Sequence, residues 1–378
     1  MTTLHEPDLI CRLKELRIKK KITQAQLADL VGIQRQAVYD VETGRYLPNT
    51  AVALRLARIL GCRVEDIFLE NRQDTHPVVM VDRQDQAGPR VSIAKIRNKL
   101  YAYPLSGANS ITEEMRAADG LLEPGHETAT LLKSHEQIEN TALLLGCDPA
   151  FSLLRQYVLK NKTEAGLHCR FASSQTALTQ LDHGRAHIAG IHMHDTGDMD
   201  GNQELARQLL KGFKGLIVAF AIFEEGLMVT RKNPFNIQKP CDLARKKIRL
   251  ANREKGAALR SLLDDCLCRE NIPFSAVTGY DDLVASHSQG AQRVLYGTCD
   301  AALGLRSVAD AFNLDFVPIT TVRCDLVIPQ DFLTHAGVGM ALDTLQKSTF
   351  RNELNCLPGY DASCTGNIIT RLDPAPNP

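Results

Sequence analysis

The chain has 378 residues, of which 44% are hydrophobic and 23% are charged. These values are typical of globular proteins and the length suits two or three domains, which excludes a largely disordered chain and a single small domain. Lysine plus arginine equals aspartate plus glutamate, at 44 each, so net charge gives the molecule as a whole no attraction to nucleic acid.

The eleven cysteines are scattered along the chain without paired spacing. An odd number of cysteines in a large chain indicates reduced thiols in a cytoplasm. The N-terminus is polar, and no apolar run reaches the roughly 18 to 20 residues that a membrane span requires. The sequence therefore predicts a soluble, cytoplasmic protein that does not contact a membrane.

Two short helical patterns meet at Gly32, and each has an apolar face. The two faces are formed by Leu27, Ala28 and Val31 and by Ala37, Val38 and Val41. Gly32 stands where two steeply crossing helices need a tight turn. The second pattern opens with Gln34, Arg35 and Gln36, whose donor-rich side chains can reach base edges in a major groove. The sequence thus predicts a helix-turn-helix.

Further helical patterns flank this motif on both sides. They are carried by Leu9, Leu13 and Leu16, by Val52, Leu56, Ile59 and Leu60, and by Val64, Ile67 and Phe68. We therefore expect an all-α domain of five helices over residues 1–70. Residues 8–60 carry ten basic and five acidic side chains, a net charge of +5, which leaves −5 for the remainder. A basic module on an acidic body fits a DNA reader with a separate effector domain.

The motif also resembles a known family. The resemblance is carried by Thr23-Gln24, Leu27-Ala28, Gly32-Ile33, Gln36, Val41-Glu42-x-Gly44 and Pro48. Together these residues resemble the Cro/repressor-type (XRE) helix-turn-helix family, from about Leu9 to Phe68. The resemblance implies a phosphate contact for Gln24, base contacts for Arg35, Gln36 and Asp40, and positions beside the DNA backbone for Gln34 and Tyr39. Arg45 completes the expected DNA-binding set.

Residues 71–138 are predicted to form a linker and an accessory β segment. A short strand is expected at Val78–Val81, and alternating apolar residues within Arg90–Leu105 indicate a hairpin. Residues 106–138 are rich in Gly, Glu and Ser and predict no defined element.

Strand and helix patterns alternate from Thr141 onward, which predicts a parallel α/β sheet with right-handed crossovers. The expected strands are Thr141–Gly146, Leu167–Phe171, Ala186–Ile191, Lys247–Leu250, Ala301–Leu303 and Asp315–Ile319. The expected helices run through Leu153–Val158, Thr176–Leu181, Ala257–Cys268, Leu283–His287 and Val308–Phe312.

Two further strand-like stretches, Leu216–Thr230 and Thr321–Pro329, suit chain segments that cross between two lobes. Helices at Val338–Leu345 and Phe350–Leu354 then return to the first lobe. The sequence predicts a two-lobed α/β clamshell over residues 139–372. Lobe one is expected at about 139–222 and 328–372, and lobe two at about 230–320.

The second half of the chain resembles substrate-binding-protein-like effector domains, which are similar to periplasmic molybdate/tungstate-binding proteins. The resemblance is carried by Gly146-Cys147-Asp148-Pro149-Ala150, Ala189-Gly190-Ile191-His192 with Asp195, Glu225-Gly226-Leu227, Asn252-Arg253 with Gly256, Asp325-Leu326-Val327-Ile328-Pro329 and Gly359-Tyr360-Asp361 with Gly366. It implies a type II periplasmic-binding-protein-like fold. It also implies that the ligand is molybdate, tungstate or a molybdenum-cofactor-related metabolite.

Ligands of open α/β lobes bind beyond the carboxyl ends of the strands, where helix N-termini present free amides. Four stretches occupy this position and are expected to face one cleft: 146–152, 172–175, 190–195 and 252–257. The predicted ligand-binding residues are Cys147, Asp148, Ser173, Ser174, His192, Asp195, Glu225, Asn252, Arg253 and Gly256.

Each of these assignments has a structural alternative. Ser173 and Ser174 also suit simple helix capping, and Arg253 suits a solvated loop. Asp148 suits a cap that is followed by Pro149 at the first helical position. His192 and His194 share a face of an extended segment, but two imidazoles fall short of the roughly four ligands of a closed metal site. We therefore expect no metal and no other cofactor.

No Ser/His/Asp order, acid pair or phosphate loop is present around these stretches, so the sequence predicts no catalytic residue. We expect a ligand-responsive transcriptional regulator that binds double-stranded operator DNA as a homodimer or higher homo-oligomer and senses a small molecule or oxyanion between its lobes. Two alternatives stay open. One is a thiol- or metal-sensing repressor that uses the cysteines, His192 and His194, and the other is an enzyme of cofactor metabolism with a DNA-binding anchor.

Overall fold

The structure is a computed structural model. It describes residues 9–70, 75–81, 88–105, 116–125, 127–161, 164–195, 200–210, 212–245 and 247–373. The chain divides into two compact units: residues 1–77 with 128–131, and residues 78–127 with 132–378.

The first unit contains the predicted five-helix domain, and this part of the fold prediction is confirmed. Its helices are α1 (Leu13–Lys19), α2 (Gln24–Val31), α3 (Arg35–Glu42), α4 (Thr50–Leu60) and α5 (Val64–Ile67). They enclose a core in which Leu27, Val38 and Leu56 are fully buried. The apolar periodicity of each helix accounts for this arrangement, because each stripe turns toward the same centre.

The ends of this domain differ from the prediction. Leu9 and Phe68 were expected in helices, but they lie in strands β1 (Leu9–Cys11) and β2 (Phe68–Glu70), which pair antiparallel. The chain ends of the domain are therefore held by a backbone ladder, and the first helix begins only at Leu13. A second short pair in this unit joins β3 (Thr75–Pro77) to β8 (Thr128–Leu131).

The second unit begins with a small sheet. Its strands are β4 (Val79–Met80), β5 (Arg90–Ile96), β6 (Lys99–Pro104) and β7 (Gly120–Leu122). β5 and β6 form a hairpin at the predicted place, with β4 along β6 and β7 along β5. Within the segment 106–138, which gave no sequence prediction, residues 106–115 and 126 lie outside the described residues, and the remainder contains β7, β8 and the start of a helix at His135–Glu139.

The main sheet of the second unit has the strand order β10-β9-β11-β16-β12-β15-β13-β14, with β17 and β18 also paired to β12. The strands are β9 (Thr141–Leu145), β10 (Gly166–Arg170), β11 (Ile188–His192), β12 (Gly215–Val229), β13 (Leu250–Arg253), β14 (Leu283–Val284), β15 (Ala301–Leu305), β16 (Asp315–Pro329), β17 (Tyr360–Asp361) and β18 (Ile368–Leu372). The outer pairs are parallel as predicted, whereas β12 and β16 run antiparallel through the centre.

Helices cover this sheet. They are α6 (His135–Glu139), α7 (Phe151–Leu159), α8 (Ser174–Asp182), α9 (Gly201–Leu209), α10 (Ala258–Arg269), α11 (His287–Leu295), α12 (Arg306–Ala311), α13 (Ala336–Leu345) and α14 (Ser348–Asn355). Short 3-10 helices lie at Pro240–Ala244, Phe274–Ala276 and Gln330–Phe332. The predicted fold class, a helical domain followed by a two-lobed α/β periplasmic-binding-protein-like domain, is confirmed.

Two long strands join the lobes. The first half of β12 pairs with β18 and with the second half of β16, while Glu225–Val229 pair with β15 in lobe two. The register of β12 against β16 shifts between Glu225 and Gly226. A register shift bends a strand locally. It falls where the chain passes from one lobe to the other, and this crossing is hereafter called the hinge.

Three predicted elements differ from the structure. The strand expected at Lys247–Leu250 lies three residues later as β13, and the helix expected at Leu283–His287 begins only at His287. The two stretches that were expected around Thr320 are one continuous strand, β16. Its Pro318 has no amide proton, and it is accommodated opposite Gly226 at the register shift.

One hydrophobic core fills lobe one and continues into lobe two, and a second core lies within lobe two. Phe151, Phe220 and Phe350 are buried in lobe one, and Leu227, Leu250 and Leu263 are buried in lobe two. Among the described residues, none of the helices has the length and apolar character needed to cross a bilayer.

Candidate functional site

The first candidate surface lies on α2 and α3. Thr23 begins α2 with a capping box, in which its hydroxyl accepts from the Gln26 amide and the Gln26 side chain accepts from the Thr23 amide. Gly32 ends α2 with φ near +75°, a conformation that glycine adopts without strain. Val38 and Val41 bury one face of α3, so its opposite face is turned to solvent.

The predicted DNA-binding residues lie on or beside this face. Gln34, Arg35, Gln36, Tyr39 and Arg45 are exposed, and Gln24 and Asp40 are half-buried. Gln36 Nε2 donates to Asp40 Oδ1 at 3.0 Å, and the Arg45 guanidinium lies 5.7 Å from the Tyr39 ring centroid. These two contacts link four of the seven side chains in pairs at the surface.

Gln24 is fixed by an internal ion pair. Its Nε2 donates to Glu42 Oε2 at 2.8 Å, and Arg17 Nε donates to Glu42 Oε1 at 2.5 Å. Arg17 also donates to the carbonyl of Ile22 at 2.9 Å. The side chain that was predicted to contact phosphate is therefore oriented by the protein's own carboxylate.

The second candidate site is a cavity between the lobes of the second unit. Lobe one lines it with Cys147, Ser173, Ser174 and His192, and lobe two with Arg253, Ala257, Ala258, Leu259 and His287. The four predicted stretches lie at or just beyond the carboxyl ends of β9, β10, β11 and β13. They meet at this cavity because the ends of these strands converge. The cavity has a volume of about 10 Å³, which is enough for about one water molecule.

Ser174 anchors one wall of the cavity. Its hydroxyl donates to the His192 carbonyl at 3.0 Å and accepts from the His192 amide at 3.1 Å, and the side chain is 1% exposed. The partner strand β9 pairs with β11 only as far as Ala189. The hydroxyl therefore makes the two hydrogen bonds to the His192 backbone that a paired strand would otherwise make. Ser173 caps α8 by accepting from the Thr176 amide.

His192 lies between a thiol and a carboxylate. Its Nδ1 is 3.5 Å from Cys147 Sγ, and its Nε2 is 3.1 Å from Glu225 Oε1, an ion-pair distance without the alignment of a hydrogen bond. Glu225 Oε2 is 2.5 Å from His194 Nε2. Glu225 itself is fully buried behind the cavity wall, at the hinge. The cavity is thus in contact with the crossing strands through His192.

The charges of this group stabilise one another. Burial lowers the pKa of His192, but Cys147 and Glu225 outweigh it and raise this pKa well above its ordinary value. Burial raises the pKa of Glu225, but the contacts with His192 and His194 outweigh it and lower this pKa to about 2. The geometry thus favours a cationic imidazole beside the cavity with a carboxylate behind it.

Arg253 supplies a second cation from lobe two. The side chain is 2% exposed, and its Nε and Nη2 donate to Glu254 at 3.0 and 2.9 Å. Its Nη1 lies 3.3 Å from His287 Nδ1, and its guanidinium is 5.3 Å from the ring centroid of Phe171, which belongs to lobe one. Burial, and next the charge of Arg253, lower the pKa of His287 well below its ordinary value, so His287 is a neutral acceptor for the guanidinium.

Helix N-termini complete the lining. Ala257 precedes α10, and among the described residues no side chain caps this helix. The first amides of a helix have no intrahelical acceptor and carry the positive end of the helix dipole. Ser173 and Ser286 cap α8 and α11, whose first turns also border the cavity. The cavity is therefore lined by cations and amide donors, an environment that suits an anion.

Asp148 was a predicted ligand residue, but it does not line the cavity. Its Oδ1 accepts from the Ala150 amide at 2.8 Å and from the Tyr360 hydroxyl at 2.5 Å. Burial outweighs these hydrogen bonds and raises the pKa of Asp148 to about 6. Pro149 is not the first helical residue as expected, because α7 begins only at Phe151. Asp148 thus fastens this turn to the C-terminal part of lobe one.

Asp195 and Asn252 also lie away from the cavity. Asp195 is exposed and accepts from the Gly201 amide at 3.0 Å. Asn252 is buried within β13, and its Nδ2 donates to the Tyr280 carbonyl at 2.8 Å. The shift of β13 relative to its expected position explains the change, because it places Asn252 in the strand instead of in the loop beyond it.

Gly256 serves the approach of the lobes. Its φ is +90°, and a Cβ at this position would lie 2.8 Å from Gln175 Oε1 of lobe one. A side chain here would therefore press against the opposite lobe. A residue other than glycine would be strained by this φ and would displace the Gln175 side chain.

Four lining residues, Ala257, Ala258, Leu259 and His287, are absent from the predicted set, and so is Phe171, whose ring covers Arg253. His287 is the first residue of α11 and follows Ser286, whose hydroxyl accepts from the Gln289 amide. The Ser-x-x-Gln spacing is a helix-start signal that could have located it. Phe171 follows β10 and has no comparable signal, because its stacking partner Arg253 is 82 positions away.

Among the described residues, no group of three or more His, Cys, Asp or Glu side chains is arranged to hold a metal ion. His192 and His194 both turn toward Glu225.

Comparison with known proteins finds separate matches for the N-terminal part and for the second half of the chain. The profile of the PBP superfamily domain matches residues 156–346, and that of a helix-turn-helix domain matches residues 13–67. The uncharacterised protein YvgK of Bacillus subtilis is 28% identical over 227 residues, which are 60% of this chain and 73% of YvgK. An uncharacterised HTH-type transcriptional regulator of Archaeoglobus fulgidus is 36% identical over 63 residues, 17% of this chain and 89% of that protein.

Among solved structures, PEB3 with bound L-phospholactate has a TM-score of 0.41 and 15% identity, over 58% of this chain and 99% of PEB3. The profile match covers 191 of the 378 residues, about half of the chain. The chain therefore belongs to the PBP superfamily, and it carries in addition an N-terminal helix-turn-helix domain of the HTH-type transcriptional regulators.

Proposed function

We propose that this protein is a cytoplasmic transcriptional regulator that binds operator DNA through α2 and α3 and senses a small anion between its lobes. The observation that carries the proposal is the lining of the cavity, where Arg253, a cationic His192 and the uncapped start of α10 converge. Arg253 and His192 each have a carboxylate partner, Glu254 and Glu225, whereas the first amides of α10 have no side-chain cap among the described residues, and amides without an acceptor are costly to bury. A bound anion would complete this set, as anions do at other helix N-termini.

An oxyanion is the ligand class that fits these donors best, and molybdate or tungstate is the first candidate because of the family resemblance. A tetrahedral oxyanion is larger than the single water molecule that the cavity admits. Binding therefore requires the lobes to separate and close again around the ligand. Contacts from both lobes would then favour one lobe arrangement over the other, which is the condition for a ligand-driven population shift.

The hinge gives this shift a physical route within the second unit. Glu225 lies at the register shift of β12 and contacts His192 and His194. An anion beside His192 adds negative charge next to the imidazole and competes with Glu225 for its proton. The position of Glu225, and with it the hinge, then responds to occupancy of the cavity.

A homodimer would translate the lobe movement into DNA affinity. Two helix-turn-helix modules grip half-sites about one DNA turn apart, so a change in their spacing alters the fit to the operator. We propose this dimer as the functional form. The protein acts as a regulator and not as an enzyme in this proposal.

The proposal is tested by thermal shift and gel shift on the full chain. Molybdate and tungstate should raise the Tm in a saturable manner, with sulfate and phosphate as comparison anions. The same anion should change the mobility shift of a promoter fragment at the same concentration. If no tetrahedral anion stabilises the protein, the ligand assignment fails. If an anion binds but DNA affinity does not change, the regulatory part fails.

Two variants of the first unit separate DNA reading from ligand sensing. Arg35→Ala removes an exposed side chain of α3, and Arg58→Ala removes an exposed charge of α4 that is outside the motif. The Arg35→Ala variant should no longer discriminate between promoter and random DNA, whereas the Arg58→Ala variant should still do so. Both variants should keep the anion-dependent rise in Tm, since the cavity lies in the second unit.

A further inference from the structure

The thiol in the cavity wall has the surroundings of a reactive cysteine. Cys147 is 8% exposed, lines the cavity and lies 3.5 Å from His192 Nδ1. Reactive cysteines occur in electropositive sites that small molecules can reach, whereas structural cysteines are enclosed by apolar groups. Both conditions are met here, since Arg253 and the start of α10 border the same cavity.

His192 is arranged to accept the thiol proton. Its Nδ1 faces Cys147 Sγ and its Nε2 faces Glu225 Oε1. Transfer of the thiol proton to Nδ1 gives the cationic imidazole described above, with the Glu225 carboxylate behind it. The pKa of His192 is raised by Cys147 and Glu225 against the effect of burial. The Ser174 hydroxyl hydrogen-bonds both the carbonyl and the amide of His192, at 3.0 and 3.1 Å. The base is thus both oriented and polarised, which is the arrangement of an activated nucleophile.

We propose that this cavity is also an oxidation site, in which Cys147 reacts with hydrogen peroxide or another peroxide of similar size, with His192 as the base. The size of the cavity selects the oxidant class. It admits about one water molecule, so hydrogen peroxide, with two oxygen atoms, needs a smaller opening of the lobes than low-molecular-weight disulfides do.

The reaction is balanced with peroxide as the oxidant. The thiol proton passes to His192 Nδ1, and the thiolate sulfur attacks the nearer peroxide oxygen. The S–O bond forms as the O–O bond breaks, and the departing hydroxide takes the proton from His192 to give water. Sulfur is oxidised by two electrons, and the product is a sulfenic acid. Arg253 and the amides of α10 stabilise the negative charge that develops on the leaving oxygen.

Oxidation would place a polar oxygen inside the cavity. This oxygen would occupy the position proposed for the anion, so the oxidised protein should lose anion binding. The chemical reaction does not depend on the proposed function, whereas its effect on DNA binding rests on it.

The test treats the full chain with hydrogen peroxide for set times, quenches the peroxide and adds dimedone together with denaturant, so that this trap for sulfenic acids does not have to enter the cavity. Mass spectrometry then assigns the adducts to individual cysteines. The exposed thiols Cys268 and Cys356 serve as internal comparisons. Cys147 should form the adduct at least tenfold faster than either, although it is nearly buried. Cys147→Ser should remove this adduct and leave those of the comparison thiols unchanged.

His192→Gln keeps a polar side chain of similar size and removes the base. It should slow labelling of Cys147 by tenfold or more, with the Tm and the mobility shift of promoter DNA measured as folding controls. Labelling of Cys147 at the rate of Cys268 and Cys356, or at an unchanged rate in the folded His192→Gln variant, would overturn the inference. If Cys147 is oxidised as expected but DNA affinity is unchanged, the inference stands and the proposed regulatory link fails.

Discussion

Replacing Ser174 by alanine should destabilise the second unit far more than replacing its neighbour Ser173. The Ser174 hydroxyl is the hydrogen-bond partner of both the amide and the carbonyl of His192, beyond the point where β9 stops pairing with β11. The side chain is 1% exposed, so solvent does not replace it freely. The Ser173 hydroxyl only caps the N-terminus of α8.

The magnitude follows from the groups that are left unpaired. A buried amide or carbonyl without a partner costs about 1–3 kcal/mol. Two such groups, partly relieved by the single water molecule that the cavity admits, give about 3 kcal/mol for Ser174→Ala. Loss of a helix cap typically costs about 1 kcal/mol, which is the expectation for Ser173→Ala. For a unit of about 300 residues the entropy of unfolding is about 0.6 kcal/mol/K, so the Tm should fall by roughly 5 °C and roughly 2 °C respectively.

Differential scanning calorimetry and urea unfolding followed by circular dichroism measure both variants against the wild type. The two serines are adjacent in the chain and each variant replaces a hydroxymethyl group by a methyl group, so Ser173→Ala is the matched control. If Ser174→Ala costs no more than Ser173→Ala, the hydroxyl does not carry the backbone of His192, and our description of the cavity wall is wrong.

Three further outcomes are expected. Arg253→Met should weaken oxyanion binding by roughly 10- to 150-fold in calorimetric titration, the equivalent of one hydrogen bond to a charged group. Arg249→Met is the control, because it breaks a lobe-two ion pair with Asp300 outside the cavity. This variant should bind the oxyanion normally. Arg253→Lys should recover only part of the affinity, because lysine keeps the charge but not the planar fork. Burial raises the pKa of Asp148 to about 6, so its contribution to stability is present below about pH 4 and is lost as the pH rises through about 6. Asp148→Asn should therefore gain stability over the wild type across this interval, by up to roughly 3 kcal/mol, and a constant difference in urea unfolding from pH 4 to 7 would contradict this.

Local signals in the sequence were sufficient for the five helices of the first unit, but not for the strand pair at its ends. Gly32, the capping pair Thr23 and Gln26 and the apolar stripes each concern residues within about one helical turn of one another, where backbone conformation and periodicity decide the structure. The alternation of strands and helices likewise predicted the two-lobed fold, because buried parallel strands require helical crossovers. The exposed face of α3 follows directly from its periodicity.

Element boundaries in the second unit required the tertiary structure. Pro318 interrupts the strand pattern of β16 in the sequence, but its missing amide proton costs nothing opposite the register shift of β12. The position of β13 is set by its pairing with β14 and β15. No local pattern encodes such pairings, because the partner strands are 30 to 50 residues away.

The lining of the cavity likewise depends partly on local sequence and partly on tertiary contacts. The sequence by itself determined which stretches follow the strands, and these stretches do supply Cys147, Ser174, His192 and Arg253 to one cavity. Only the tertiary structure decided which side chains turn inward. It turned Asp148 toward the C-terminal part of lobe one instead. The reason is physical: a side chain's direction depends on which partner satisfies its charge or hydrogen bonds, and those partners lie far away in the chain.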